Sequence, residues 1–262
     1  MSDRGDPIGV FDSGVGGISV LQAMVRLLPG EHFLYYGDLK NAPYGTKSSE
    51  EVIRCVHRVV DHLMEKRIKA LVIACNTATG AAAAVLRREL EIPVIGMEPA
   101  LKPASEIRKD GKILVMATPL TLNQEKFIKL MEKYGSGAEK VPCPGLMELV
   151  EQEDETGARK YLEEVFRQQD LDRVDAVVLG CTHYVYLKDM IREMLPEHIA
   201  ITDGNEGTAR QLRRVLEREG LAAEGNSGSV TFESSGGPET IEAMKRWMKR
   251  GNPEEKTPEM NK

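Results

Sequence analysis

The chain has 262 residues, of which 41% are hydrophobic and 29% are charged, and its 41 acidic and 35 basic residues give a formal net charge of -6. This balance is ordinary for a globular protein and excludes a wholly disordered or fibrous chain. The charges are well mixed along the sequence, so there is no basic stripe of the kind that binds the phosphates of nucleic acid.

The apolar runs are short, and the first residues, MSDRGD, are polar. Crossing a bilayer takes roughly 20 apolar residues, and a signal peptide needs a basic start followed by an apolar stretch. We therefore predict a cytoplasmic protein with neither nucleic acid nor membrane as a partner. The four cysteines lack the density of a disulfide scaffold and include no CxxC pair, which predicts reduced thiols.

Short apolar runs alternate with longer segments of helical period, a pattern typical of βαβ units around a parallel sheet. The first predicted strands cover residues 8–11, 32–36, 70–74 and 94–95. The helices predicted behind the first three strands cover residues 18–28, a segment starting at Ser48 or Ser49, and an alanine-rich segment ending near Leu90. Cys55 falls on the apolar face of the second helix, so we interpret it as a core residue.

The same pattern then restarts further along the chain. The remaining predicted elements are strands over 112–116, 176–179 and 230–233, a helix behind the turn 117–121, a helix over 206–219 and a last helix from Pro238. The elements after residue 206 are predicted to return to the first half. Residues 251–262 are polar and contain two prolines, so we expect this tail to be frayed.

Two cysteines occupy matching places in the two halves. Cys75 follows Asp12, at the end of the first strand, by 63 residues, and Cys181 follows Ala117, at the end of the corresponding strand, by 64 residues. Each cysteine is preceded by a charged residue, four apolar residues and one small residue. The halves therefore look like divergent copies of one unit.

This correspondence predicts an α/β fold of two pseudo-symmetric three-layer domains, with mainly parallel sheets and an active site in the cleft between the domains. The first domain is predicted to comprise residues 1–98 and 207–262, and the second residues 99–206. Each domain then contributes one of the matched cysteines.

Both cysteines are predicted to lie at the carboxyl ends of strands, where open parallel sheets bind ligands. Each also precedes a predicted helix, whose positive N-terminal end favours a thiolate. Donor groups follow directly, in Asn76-Thr77 and in Thr182-His183, and could hold a carboxylate. Two thiols that face a ligand from opposite sides could remove a proton from one face of a carbon and return one to the other. Asp12 or His183 could assist that transfer.

Other interpretations of the cysteines stay open at this point. A cysteine at a strand end is often a small buried hydrophobe, and Cys143, which lies between two prolines, is interpreted as structural. Zinc bound by Cys75, Cys181 and His183 is a further alternative, although thiolate sites usually show local pairs such as CxxC.

The glycine-rich turn and its neighbours also have alternatives. Residues 14–17 could bind a nucleotide with Asp38 as the ribose acid, although a serine stands where the third glycine belongs. Asp12 and Ser13 could cap the following helix. Tyr44 could be a loop aromatic that packs on its domain.

Six segments in order resemble glutamate racemase. They are FDSGVGG at 11–17, GD at 37–38, APYG at 42–45, CNTAT at 75–79, IPVIGMEPA at 92–100 and LGCTHY at 179–184. The resemblance implies that Cys75 and Cys181 are the paired proton donor and acceptor, without pyridoxal phosphate, any other cofactor or a metal. It also implies a cytoplasmic enzyme that supplies D-glutamate for the bacterial cell wall, and a homodimer.

The resemblance also implies roles for individual residues. Asp12 and His183 assist the two cysteines and contact the substrate, and Glu151 is a further auxiliary acid. The residues implied to bind glutamate are Ser13, Tyr44, Gly45, Asn76, Thr77, Thr118 and Thr182.

The sequence departs from the family pattern mainly in the second half. Val185 replaces the usual proline after THY, the usual GTxGT reads ATPLT at 117–121, and glycine follows Asp203 in place of serine. The related aspartate racemases tend to show CNTxH and GCTE, where this chain has Thr79 and His183, so glutamate is favoured. The remaining hypotheses are a racemase for another dicarboxylate and a ligand sensor without turnover.

Overall fold

The computed structural model describes residues 3–250, so the predicted frayed tail and the outer ends of the first predicted domain lie outside the described residues. The nine strands in this part of the chain form two sheets in which every pairing is parallel. The predicted fold class, two α/β units with parallel sheets, is confirmed.

The first sheet has the order β4-β3-β1-β2-β9 and the second the order β6-β5-β7-β8. The strands are β1 Ile8–Asp12, β2 His32–Gly37, β3 Ala70–Ile73, β4 Val94–Gly96, β5 Lys112–Ala117, β6 Ala138–Pro142, β7 Val174–Leu179, β8 Ala200–Asp203 and β9 Ser229–Ser234. β9 pairs with β2 in the first sheet, which confirms that the chain returns to the first half.

The helices cover the two sheets and run between successive strands. They are α1 Ile18–Leu27, α2 Ser49–Glu65, α3 Asn76–Glu89, α4 Leu101–Ile107, α5 Pro119–Asn123, α6 Glu125–Tyr134, α7 Leu146–Glu151, α8 Glu155–Arg167, α9 Lys188–Met194, α10 Asn205–Arg218 and α11 Pro238–Arg250. Short 3₁₀ turns lie at Leu39–Asn41, Tyr44–Thr46, Leu171–Arg173 and Thr182–Leu187. No helix within residues 3–250 combines the length and the apolar content that a membrane span requires.

Local sequence explains the best-predicted elements. β1 up to Phe11 and the whole of β3 are apolar, and both strands are buried along their whole length, as strands covered on both faces are. Helix α2 begins after Ser48, whose hydroxyl accepts the amide of Glu51 while the Glu51 carboxylate accepts the amide of Ser48. This capping box confirms the predicted start of the helix.

The sequence did not predict β6 and β8. Both are short strands at the edges of the second sheet, and neither is fully buried. An edge strand covered on one side carries little of the continuous apolar character that marks a central strand.

The two halves share a hydrophobic core. One cluster of buried side chains contains Val10 from the first sheet, Leu179 from the second sheet, and Trp247 from the last helix. This packing brings the carboxyl ends of β1 and β3 close to those of β5 and β7. The polar residues that follow these strands therefore meet between the halves.

Candidate active site

Cys75 lies two residues beyond β3 and is the N-cap of α3, where its sulfur accepts the amide of Ala78 at 3.4 Å. The Ser13 hydroxyl is 3.9 Å from the same sulfur. Burial raises the pKa of the Cys75 thiol well above its usual value, and the nearby Asp12 carboxylate raises it further. The surroundings of Cys75 therefore favour the neutral thiol.

Cys181 follows β7, and its sulfur lies 3.7 Å from Nδ1 of His183. Nε2 of the same imidazole is 2.9 Å from Oε1 of Glu151, at the end of α7. Burial by itself lowers the pKa of His183, but the hydrogen bonds to Cys181 and Glu151 outweigh burial and raise the pKa well above its usual value. The surroundings of Cys181 therefore favour the protonated imidazole at His183.

Glu151 supplies the counter-charge for that imidazolium. Burial raises the pKa of Glu151, but the hydrogen bond and the charge of His183, together with the amide of Val15, bring the pKa below its usual value. One chain of hydrogen-bonded groups thus runs from Cys181 through His183 to Glu151. When the sulfur is a thiolate, the charges along this chain alternate.

Asp12, at the end of β1, connects the two cysteine neighbourhoods. One oxygen accepts the amide of Gly14 at 2.7 Å, and the other accepts the hydroxyl of Thr182, in the second half, at 3.2 Å. Burial raises the pKa of Asp12 above its usual value, while the charge of His183 and the Gly14 amide oppose the rise. Helix α1 is capped by Gly17 without a side-chain cap, so the interpretation of Asp12 and Ser13 as caps is wrong.

The glycine-rich turn packs tightly under the second half. A Cβ atom at Gly14 would overlap the carboxylate of Glu151, and one at Gly16 would overlap His183 and lie 2.5 Å from the Thr182 hydroxyl. Side chains of the second half therefore occupy the space that a phosphate would need. The Asp38 carboxylate accepts the hydroxyl of Tyr44 at 2.6 Å. The nucleotide alternative has no support in this geometry.

Three threonine hydroxyls from both halves form a closed cluster. The Oγ1 atoms of Thr77 and Thr118 are 3.2 Å apart, those of Thr77 and Thr121 are 3.0 Å apart, and those of Thr118 and Thr121 are 2.9 Å apart. All three residues are buried. Sequence reasoning missed Thr121, although Thr118 at the start of α5 places the residue three positions later beside it.

Asn76 lies beside this cluster, in the first turn of α3. It is 5% exposed, and neither the oxygen nor the nitrogen of its side chain has a hydrogen-bond partner within residues 3–250. Buried amide groups are nearly always hydrogen-bonded, so this side chain is free to bind a ligand.

The loop after β2 closes the site from the side of the first half. Tyr44 is buried, with its ring in the core cluster that contains Phe11 and Cys75, so the packing interpretation of this tyrosine is confirmed. Gly45 contacts the second half, because a Cβ atom there would lie 3.1 Å from Thr118. The loop therefore contributes backbone at Gly45 to the lining of the site.

The other two cysteines lie outside this arrangement. Cys55 is on the buried face of α2, and the Cys143 thiol donates to the Val141 carbonyl at 3.4 Å. Both are buried core residues, as the sequence predicted. Within residues 3–250, no group of three or more His, Cys, Asp or Glu side chains is placed to hold a metal ion.

Comparison with known proteins identifies the relatives of this chain. Residues 8–212 match the Asp/Glu/Hydantoin racemase family. A glutamate racemase from Clostridium botulinum is 50% identical over 240 residues, covering 90% of this chain and 93% of the relative. The crystal structure of a glutamate racemase isoform from Bacillus anthracis superposes with a TM-score of 0.83 and 34% identity, covering 94% of this chain and 95% of that chain.

A further solved structure contains an amino acid. Escherichia coli glutamate racemase in complex with L-glutamate and the activator UDP-MurNAc-Ala superposes with a TM-score of 0.80 and 29% identity, covering 92% of this chain and 95% of that chain. The similarity to these enzymes therefore extends over both halves and both cysteine neighbourhoods.

Proposed function

The chain belongs to the glutamate racemases of the Asp/Glu/hydantoin racemase family, and we propose that it interconverts L- and D-glutamate by a two-base mechanism that uses Cys75 and Cys181. One observation carries the proposal. A buried thiol from each half lies at the end of a central strand, and the bond between Asp12 and Thr182 joins the two neighbourhoods. A different base can then remove or return the proton on each face of the α-carbon of glutamate.

A two-base mechanism needs one thiolate and one thiol, and each direction of the reaction uses one cysteine in each state. The sulfur of Cys181 lies 3.7 Å from Nδ1 of His183, which can take up its proton, while burial and the Asp12 carboxylate raise the pKa of Cys75 and favour its thiol. The Cys181 thiolate removes the α-proton from one enantiomer, and the Cys75 thiol donates its proton to the opposite face. The other enantiomer reacts with the two roles exchanged.

Donor groups bind the carboxylates of glutamate. The side-chain amide of Asn76 has no hydrogen-bond partner among residues 3–250, and its position in the first turn of α3 adds the N-terminal end of that helix. The hydroxyls of Thr77, Thr118 and Thr121 can turn from one another toward a carboxylate oxygen. Ser13, Thr182 and the backbone at Gly45 complete the lining.

The α-proton of an amino acid is weakly acidic, so the site must stabilise the carbanion that its removal produces. Preorganised donors in a buried site act most strongly where charge develops. Thr182 and Asn76 are such donors, and both are less than a tenth exposed. We propose that these groups act without pyridoxal phosphate or a metal ion.

Optical rotation tests the reaction directly. Protein dialysed against a chelator, with no cofactor added, is expected to bring the rotation of L-glutamate to zero, and L-aspartate serves as the control substrate. In heavy water, deuterium should enter the product enantiomer much faster than it enters recovered substrate, because each face has its own base. A folded sample that leaves the rotation unchanged would refute the proposed function, and equal early labelling of both enantiomers would refute the two-base mechanism.

Three further proposals rest on the family resemblance, and a fourth rests on the matched halves of the sequence. The enzyme is cytoplasmic, supplies D-glutamate for the bacterial cell wall and is a homodimer. Its first domain comprises residues 1–98 and 207–262, and its second domain comprises residues 99–206. The pairing of β9 with β2 supports the division, since it returns the end of the chain to the first sheet. Light scattering on the eluting protein measures the mass and would contradict the dimer if it gave a monomer.

A further inference from the structure

A glutamine in the second half reaches across to the first turn of helix α3. Gln124 lies between α5 and α6 and is 7% exposed. Its side-chain nitrogen donates to the carbonyl of Thr77 at 2.9 Å. Thr77 is also the residue whose hydroxyl contacts Thr118 and Thr121, so one residue of α3 is held by the second half at two points.

Gly80 marks the place where this glutamine fits. It lies inside α3, where glycine is less favourable than alanine because it leaves the unfolded chain more conformational freedom. A Cβ atom at this position would overlap the side-chain oxygen of Gln124. The glycine therefore leaves room for the Gln124 amide against the helix, next to the carbonyl that the amide binds.

The backbone around Gln124 is fixed from both sides. Its amide donates to the carbonyl of Thr121 at 3.3 Å, and its carbonyl accepts the amide of Ile128 at 3.0 Å. With its backbone fixed in this way, Gln124 holds the Thr77 carbonyl at a set position relative to the second half. Thr77 lies in the first turn of the helix that Cys75 caps.

We propose that Gln124 is a positioning residue of the substrate site, which acts through the Thr77 carbonyl, and that Gly80 exists to admit its side chain. This inference rests on the proposed function, because it assigns Thr77 to glutamate binding. Gln124 then sets the distance between the donors of α3 and those of α5. It affects how well glutamate is held, and leaves the proton transfer at the cysteines unchanged.

Four variants test this assignment: Gln124→Ala, Gly80→Ala, the double variant, and the control Gly207→Ala. Gly207 lies in helix α10, and a Cβ atom there would meet no atom of the described part of the chain within 4 Å. Gly80→Ala displaces the Gln124 amide, so both single variants lose the same bond. KM for each enantiomer should rise about fivefold to tenfold, the size expected for one neutral hydrogen bond, with kcat within about twofold of wild type.

The double variant distinguishes a shared cause from two separate defects. Its KM should be no higher than that of Gln124→Ala, because the bond is already absent. The melting temperature should fall when Gly80→Ala is made alone, and rise by about 2 to 4 °C when it is made on Gln124→Ala, where the methyl group has room. Gly207→Ala should give a similar rise and an unchanged KM.

Two results would overturn the assignment: a KM within twofold of wild type in both single variants, or independent multiplication of their effects in the double variant. A readout without turnover separates this inference from the proposed function. Glutamate raises the melting temperature of a protein that binds it, and Gln124→Ala should need about fivefold to tenfold more glutamate for the same rise. Wild type that binds but does not racemise refutes the function alone, and equal glutamate requirements refute the role of Gln124.

Discussion

Replacing Glu151 by glutamine removes one charge from the Cys181 side and keeps the size of the side chain. Glu151 Oε1 lies 2.9 Å from Nε2 of His183, and the side chains are 25% and 2% exposed, respectively. A hydrogen bond to a charged group contributes about 1.5–3 kcal/mol and a neutral one about 0.5–1.5 kcal/mol. The Glu151→Gln variant therefore loses about 1–1.5 kcal/mol of stabilisation of the imidazolium.

That loss predicts both a rate and a pH effect. Since 1.36 kcal/mol corresponds to a factor of ten, kcat should fall about fivefold to about twelvefold. The carboxylate is one of the groups that raise the pKa of His183, so its removal lowers that pKa. His183 then loses its proton at lower pH, and the alkaline limb of the kcat profile should move to lower pH. Because the pKa of Glu151 lies below its usual value, Glu151 is not expected to set the acid limb of the profile. Its replacement should therefore leave that limb in place.

Circular dichroism of the glutamate solution measures kcat and KM from either enantiomer between about pH 5 and pH 10. Glu153→Gln is a matched control. Glu153 lies two residues after Glu151, is exposed, and pairs with Arg250. This control should change kcat by less than about twofold. An alkaline limb that stays in place in Glu151→Gln, together with an unchanged kcat, would refute the coupling between Glu151 and the thiolate.

Three further predictions follow from other parts of the structure. Cys75→Ala and Cys181→Ala should each abolish inversion, yet each should exchange the α-proton of a different enantiomer with heavy water; mass spectrometry showing exchange of the same enantiomer by both would contradict opposite faces. Gly16→Ala should lower kcat at least tenfold because its methyl group displaces the imidazole beside it, and a crystal structure of an active variant with an unmoved imidazole would contradict this reason. Lys69→Met should destabilise the fold by about 3–5 kcal/mol in urea unfolding, because it leaves Glu31 buried without its 2.6 Å partner, and adding Glu31→Leu should recover much of the loss.

The sequence allowed the central parts of the fold to be predicted because their signals are local. β3 and the last four residues of β7 are apolar runs that each lead toward a cysteine, and the capping box of α2 lies within four residues. The edge strands β6 and β8 lacked such signals. The matched spacing of the cysteines predicted two halves, since a repeated unit leaves its mark at a fixed distance along the chain.

The missed parts of the site depend on contacts between distant residues. Gln124 binds Thr77, 47 residues away, and nothing in the sequence near either residue indicates that bond. Gly80 alone could have raised the question, because glycine inside an alanine-rich helix needs a reason. The packing of Tyr44 also depends on a contact outside its motif, since its hydroxyl donates to Asp38, six residues earlier.

The two halves supply equivalent thiols in unequal surroundings. An anion, Asp12, lies near Cys75, whereas a cation, His183, lies at Cys181. The equilibrium constant between enantiomers is unity, so kcat/KM must be the same in both directions whatever the charges around the cysteines. The asymmetry can therefore appear only as compensating differences in kcat and KM between L- and D-glutamate. Glu151→Gln should therefore lower kcat/KM equally for both enantiomers, whatever it does to the two separate kcat values.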